Sequence, residues 1–172
     1  EHDEIDDRIL QDLDGYWGAA PKGIWPVTRK QALVRLEEFI NGALTAFGPY
    51  EDAMLSKEWK LAHSVLSSSL NIGLLHPREV VRAVENAYTN GDAPINSVEG
   101  FIRQVIGWRE YVWGLYWLWM PEYKSENFLE AHRPIPPSFL EKRSTDMSCI
   151  SGAIDHLHEF AYTHHIERLM LF

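Results

Sequence analysis

The run from Val98 to Trp117 constrains this chain more than any other segment. Its apolar and aromatic residues recur at the three- and four-residue spacing of a helix face, over about five turns. Inside that face stands the triplet Trp108-Arg109-Glu110. A guanidinium and a carboxylate among aromatic rings are costly to bury unless something answers them. From the residues alone, the answer is a cofactor, a nucleic-acid partner or another buried side chain.

Helical signals continue through the rest of the chain. Residues 15–27, with Gly15, Gly18, Pro21, Gly23 and Pro26, read as loop. Thr28-Arg29-Lys30-Gln31 has the form of a capping box, and Leu33, Leu36, Ile40, Leu44 and Phe47 follow at helical spacing up to Gly48-Pro49. A second helix is expected from about Lys57 to Leu70. His76-Pro77 opens a third, which Asn90-Gly91 stops. The aromatic helix begins at Asn96/Ser97 and ends at Pro121. Residues 121–144 hold Pro121, Pro134, Pro136 and Pro137 and little periodicity, as expected of a long functional or mobile loop. Thr145/Asp146 can cap a last helix running toward Phe172. No run alternates with period two. The expected fold is all-α with five or six helices: an acidic segment and loop over 1–27, then one helical domain over 28–172.

A length of 172 residues with 45% hydrophobic content supports one domain with a sizeable core. Most of the seven tryptophans are expected to fill it. A net charge of −9 argues against a surface coated in basic charge, though not against a local basic pocket. Seven acids fall within Glu1–Asp14, most simply a solvated run. The single cysteine, Cys149, excludes an internal disulfide framework. The most apolar run, Tyr111–Met120, is too short to span a bilayer, and the chain carries no leader pattern. A soluble, cytoplasmic protein with no membrane partner is expected. The apolar end Leu169–Phe172 has no helix stop, which suggests a piece of a longer chain. An apolar face exposed near that end would drive self-association.

Several constellations can carry chemistry. Ser64 and Ser67 lie three apart, on one face of a helix, where their hydroxyls either hold a pyrophosphate or cap a helix end. Arg109 either meets a ligand or pairs with a structural carboxylate. Gln104 sits one turn before Trp108 on the same side. His164 and His165, adjacent on a helix, point about 100° apart and do not suit one metal ion together. His156, His158 and Asp155 have no recognised ligand spacing and read as helix surface. Core packing is the favoured reading of Trp113, Tyr116, Trp117 and Trp119, with an electron relay the alternative.

Four of these segments together resemble the photolyase/cryptochrome superfamily, and more narrowly its iron–sulfur bacterial cryptochrome and prokaryotic (6-4) photolyase subgroup. They are His63 to Gly73, Gly107-Trp108-Arg109-Glu110-Tyr111, Thr145 to Cys149, and Ala161 to Met170 with its His164-His165-Ile166. The resemblance covers about Ala32 to Phe172. It implies a multihelical FAD-binding domain, with an antenna chromophore on a separate domain and closing helices beyond this chain. The implied activity is light-driven repair of UV-damaged DNA, most specifically (6-4) photoproducts, by electron transfer from reduced flavin. A blue-light receptor of the same fold, or a helical interaction module without cofactor, are the alternatives. The resemblance implies that Ser64, Ser67 and Tyr50 hold FAD, that Arg109 lies against the flavin, and that Arg168 faces its diphosphate. Trp108 and Gln104 would border the lesion, and His164 and His165 would serve proton chemistry. Cys149 would be one ligand of a [4Fe–4S] cluster whose other three thiolates lie elsewhere. His63 and Ser68 depart from the family pattern, which commonly has Thr and Pro there, and Gly107 offsets the aromatic helix by one residue. An incomplete pocket predicts a chain that is largely free of flavin and inactive alone. A closed, dry core around Arg109 and His165 would favour the interaction module, whereas a cleft there would favour a cofactor.

Overall fold

In the computed structural model, residues 4–13, 15–142 and 145–172 are described. The acidic run Glu1–Asp14 therefore lies partly outside the described residues; its remainder forms helix α1, Glu4–Asp12. Helix α2, Arg29–Glu38, starts on the expected capping box: Thr28 Oγ1 accepts from the Gln31 N–H, and Gln31 Oε1 accepts from the Thr28 N–H at 3.0 Å. The helix continues through a π-helical turn, Phe39–Ala43, into α3, Leu44–Tyr50. That turn inserts one residue, so the buried series runs Ala32, Leu36, Phe39 and then skips to Leu44 and Phe47. Leu33, expected on the core face, is 41% exposed for this reason of register.

Gly48-Pro49 does not end the helix as expected. Pro49 sits inside α3 and has no N–H for the carbonyl of Thr45. The fully buried hydroxyl of Ser97 replaces it, donating to Thr45 O at 2.9 Å and accepting from the Gly48 N–H at 3.0 Å. A Cβ on Gly48 would stand 2.9 Å from Ser97 N, so glycine is what lets the two helices meet.

The helix expected over Lys57–Leu70 is mostly irregular chain. Leu61 and Val65 take left-handed φ values of 46° and 49°, which break any helix, and only α4, Ser67–Asn71, is helical. Helix α5, Pro77–Thr89, behaves as its sequence predicts: His76 caps it, Pro77 opens it, Asn90 closes it and Gly91 turns left-handed at φ 82°. The aromatic run forms α6, Ile95–Arg103, then a π-helical turn, Gln104–Trp108, then α7, Arg109–Trp119. Residues 121–142 are irregular apart from two 3-10 turns, Glu122–Ser125 and Pro137–Phe139. The single last helix is instead two, α8, Ser148–Phe160, and α9, His165–Leu171, parted by Ala161 at φ 53°. Among the described residues there is no strand, only an isolated bridge between Leu55 and Glu58. The protein is all-α.

The core lies where α2, α3, α5 and α6 meet. Phe39, Phe47 and Phe101 pack ring to ring at its centre, with centroids 4.7–6.2 Å apart, among Leu44, Leu66, Leu75, Val80 and Val84. Burying each of these side chains contributes about 1.5–3 kcal/mol. The loop before α2 straps onto the end of α8: Trp25 Nε1 donates to Phe160 O at 2.8 Å, and Ala19 N–H to His158 O at 2.8 Å.

Helix α7 contradicts its sequence reading. Trp113, Tyr116, Trp117 and Trp119 were expected in the core, yet they are 46–66% exposed, and α7 buries no residue. The helix leaves the core after Val105 and projects past it.

Candidate functional site

A cleft of about 770 Å³ opens between the irregular segment 63–66, α4, the π turn of the aromatic helix and the start of α9. Ser64, Ser67, Gln104, Trp108, Arg109, His165 and Arg168 all line it. These residues come from three stretches far apart in sequence. Seven of the ten singled-out residues therefore share one wall system, and the space around Arg109 and His165 is open rather than a closed core.

Local backbone explains how the residues reach the cleft. Ser64 precedes the left-handed Val65, and its Oγ accepts from the Leu66 N–H at 3.4 Å. Ser64 and Ser67 therefore meet at the cleft without sharing the helix face that their spacing suggested. Ser68 Oγ and Ser69 Oγ, just behind them, are buried without hydrogen-bond partners. In the π turn the extra residue around Gly107 keeps Gln104 and Trp108 on one wall, and Trp108 stays 56% exposed.

The expected carboxylate partner of Arg109 is not found. Arg109 Nη1 donates instead to Asn71 Oδ1 at 3.1 Å, a neutral acceptor. Neither Arg109 nor Arg168 forms an ion pair with another described residue. Two guanidiniums without carboxylates on one cleft give a local positive field on an acidic protein, suited to an anion.

The break at Ala161 sends the two neighbouring histidines in different directions. His165 is half-buried, lines the cleft and places Nε2 3.4 Å from Asp52 Oδ1. His164 is fully buried and does not line the cleft. Its ring stacks on His63, with centroids 5.0 Å apart and planes 18° from parallel, and both its nitrogens lack hydrogen-bond partners. The proton role expected of His164 is corrected accordingly: it is packed behind the site, where it supports His63. Burial, then the neighbouring His164 and His165, pushes His63 down to about 4, so it is neutral at neutral pH. Burial likewise lowers His164.

Two other expectations are corrected, those for Tyr50 and His156. Tyr50 is 58% exposed at the end of α3 and does not line the cleft. Cys149, the single ligand that the resemblance implies for a cluster completed elsewhere, is exposed in the first turn of α8; among the described residues no group of three or more His, Cys, Asp or Glu could hold a metal ion. His156 is buried rather than on the surface: its Nδ1 donates to Glu167 Oε1 at 2.9 Å, tying α8 to α9. The break between these helices defeated the surface reading, because His156 is covered by a helix that turns back on it.

Sequence reasoning missed Asn71, Glu51, Asp52 and Tyr162. Tyr162 lines the cleft, and burial raises its phenol to about 12, so it remains a neutral hydroxyl. Glu51 accepts a hydrogen bond from Gln104 Nε2. Asn71 stood inside the quoted serine segment, but nothing local marked it. Glu51 and Asp52 act across more than fifty residues of chain, and no local pattern encodes that.

Fold and cleft define an all-helical domain with an open cleft lined by two guanidiniums and several aromatic rings. No protein-family model matches the chain. Over 168 residues, 98% of its length, it is 48% identical to a (6-4) photolyase of Agrobacterium fabrum, and it spans 33% of that protein. It is also 44% identical over 68 residues to an uncharacterized protein of Acanthamoeba polyphaga mimivirus, covering 39% of this chain and 52% of that one. The chain belongs to the photolyase family. Among the described residues no helix is long and apolar enough to cross a membrane.

Proposed function

We propose that the cleft is the FAD- and lesion-binding site of a light-driven DNA-repair photolyase acting on UV pyrimidine lesions of the (6-4) type. One observation carries this reading: the residues named by the resemblance converge on an open cleft that holds two guanidiniums without carboxylate partners. A closed core there would have argued for an interaction module. The cleft's volume is that of a ligand site, and its donors fit a flavin dinucleotide, which carries a diphosphate and an extended aromatic ring. When bound, reduced FAD would supply light-driven electron-transfer chemistry to the lesion.

The chain's own residues bind, orient and exclude. Ser64 and Ser67 donate hydroxyls toward the diphosphate, and Arg168 faces it with a full positive charge. Arg109, held by Asn71, offers its remaining N–H groups to the flavin ring. Trp108 presents an aromatic face on which a base extruded from the duplex can stack, and Gln104 offers an amide to its edge. His165 is the imidazole placed to exchange a proton with the substrate. Cys149 is the one cysteine available, and a [4Fe–4S] cluster needs four ligands, so the residues of this chain do not themselves form a cluster site.

The test is flavin uptake followed by absorption near 450 nm (roughly the band of oxidised flavin), in the chain and in the full protein. The full protein is expected to hold FAD, and Arg109→Ala to weaken its binding about tenfold or more. A full protein that takes up no FAD would end this reading. One that binds FAD but shows no preference for UV-damaged DNA would be a blue-light receptor instead.

A further inference from the structure

Two consecutive carboxylates at the end of α3 each grip a side chain of the cleft, although neither lines it. Glu51 Oε1 accepts from Nε2 of Gln104, in the π turn. Asp52 Oδ1 lies 3.4 Å from Nε2 of His165, the first residue of α9. Space for this arrangement is provided by Gly100, where a Cβ would stand 3.2 Å from Glu51 Oε2. The turn that follows α3 thus touches both the aromatic helix and α9.

Each contact determines what its partner presents. An ionised carboxylate only accepts, so the atom facing Glu51 is the amide nitrogen of Gln104, and its Oε1 remains free as an acceptor. By the same rule the hydrogen on His165 Nε2 is committed to Asp52, and in the neutral ring Nδ1 is then the free acceptor. The ring is held from the other side as well: the His63 plane meets it at 87° with centroids 5.1 Å apart. His63 is buried and has an unpartnered Nε2, so it contributes shape rather than charge at neutral pH.

We propose that Glu51 and Asp52 are positioning residues for the substrate side of the cleft. Glu51 sets the Gln104 amide so that its oxygen receives a ring N–H of the bound base. Asp52 sets the tautomer and tilt of His165 so that Nδ1 addresses the substrate. The proposal rests on the reading of the cleft as a lesion site, and its test separates the two.

The first measurement needs no ligand: the ring nitrogen resonances of His165 in the 172-residue chain at neutral pH. The wild type is expected to show the Nε2–H tautomer. Asp52→Ala is expected to release it to a mixture, and Asp52→Asn, which keeps an acceptor oxygen, to retain it. The second measurement is the repair rate at saturating (6-4)-lesion oligonucleotide in the full FAD-loaded protein. Asp52→Ala and Glu51→Ala are expected to lower it about tenfold at unchanged flavin content, with Asp52→Asn and Glu51→Gln within about twofold of wild type. The proposal is overturned if the His165 tautomer ignores Asp52→Ala, if repair by the Ala variants is undiminished, or if the Asn and Gln variants fall as far as the Ala ones. If the wild type repairs nothing, the lesion-site reading has failed, and the tautomer spectrum alone decides whether Asp52 positions His165.

Discussion

Ser97 shows how much one small side chain can carry. It lies fully buried between α3 and α6, where Pro49 leaves the Thr45 carbonyl without its helical donor. Ser97→Ala would leave both Thr45 O and the Gly48 N–H without this partner. Both bonds are part-buried, so the expected loss is about 1–2 kcal/mol, read as a shift in urea midpoint at constant slope. His63 gives a pH prediction at the same scale. Its folded value of about 4 lies below the ordinary 6.5 because burial disfavours the charged ring. Between these values the unfolded chain takes up a proton that the folded chain refuses. Stability is therefore full above about pH 6.5 and falls as pH drops toward 4, by on the order of 2 kcal/mol after solvent screening is allowed for. Urea unfolding at pH 7 and pH 5 is expected to show about half of that loss, and His63→Leu to reduce it. An equal loss in His63→Leu would assign the pH dependence elsewhere.

At the scale of elements, the site depends on places where helices depart from regularity. The π turn at Gln104–Trp108 puts two cleft residues on one wall, and the break at Ala161 turns His165 toward the cleft and His164 into the core. Ala161 holds φ 53° with its N–H bonded to Leu157 O, the geometry of a helix C-terminus that glycine occupies without strain. Ala161→Gly is therefore expected to stabilise the protein by about 1 kcal/mol, seen as a higher Tm. A lower Tm would mean that flexibility at this break outweighs the relieved strain. Two helix starts were legible because capping is local: Thr28-x-x-Gln31 and His76-Pro77-x-Glu79 each satisfy their own backbone. The irregular course of 57–66 was not legible, because Leu61 and Val65 are not residue types that announce a left-handed backbone. What keeps Val65 and Leu66 in place is their burial, Leu66 within the core itself.

For the whole molecule, the exposed face of α7 is the main consequence. Trp117 and Leu118 are 66% and 69% exposed, beside other uncovered aromatics, and an apolar area of this kind favours association. The chain is expected to self-associate at micromolar to millimolar concentration, as exposed apolar surface does. Trp117→Glu combined with Leu118→Glu is expected to return it to monomer in sedimentation velocity, without touching the cleft lining. A wild-type chain that remains monomeric across that range would show that this face is not adhesive. The chain spans a third of its photolyase relative, so the same experiment in the full protein asks whether the face is covered there.

Local physics determined much from sequence alone: the all-α class, the capping boxes of α2 and α5, and the limits of α5. Each of these rests on interactions within a few residues or on a helical period that survives along the chain. By contrast, α6 and α8 have their N-caps at Pro94 and Met147 rather than at the expected Asn96/Ser97 and Thr145/Asp146. Tertiary structure alone decided which aromatics are buried, that Arg109 meets Asn71 rather than a carboxylate, that His165 lines the cleft while His164 is buried, and that Glu51 and Asp52 contact Gln104 and His165. Those outcomes depend on π turns, left-handed residues and contacts across 38 to 113 positions. A local pattern does not encode such distances, because the energy of each contact exists only once the helices have packed.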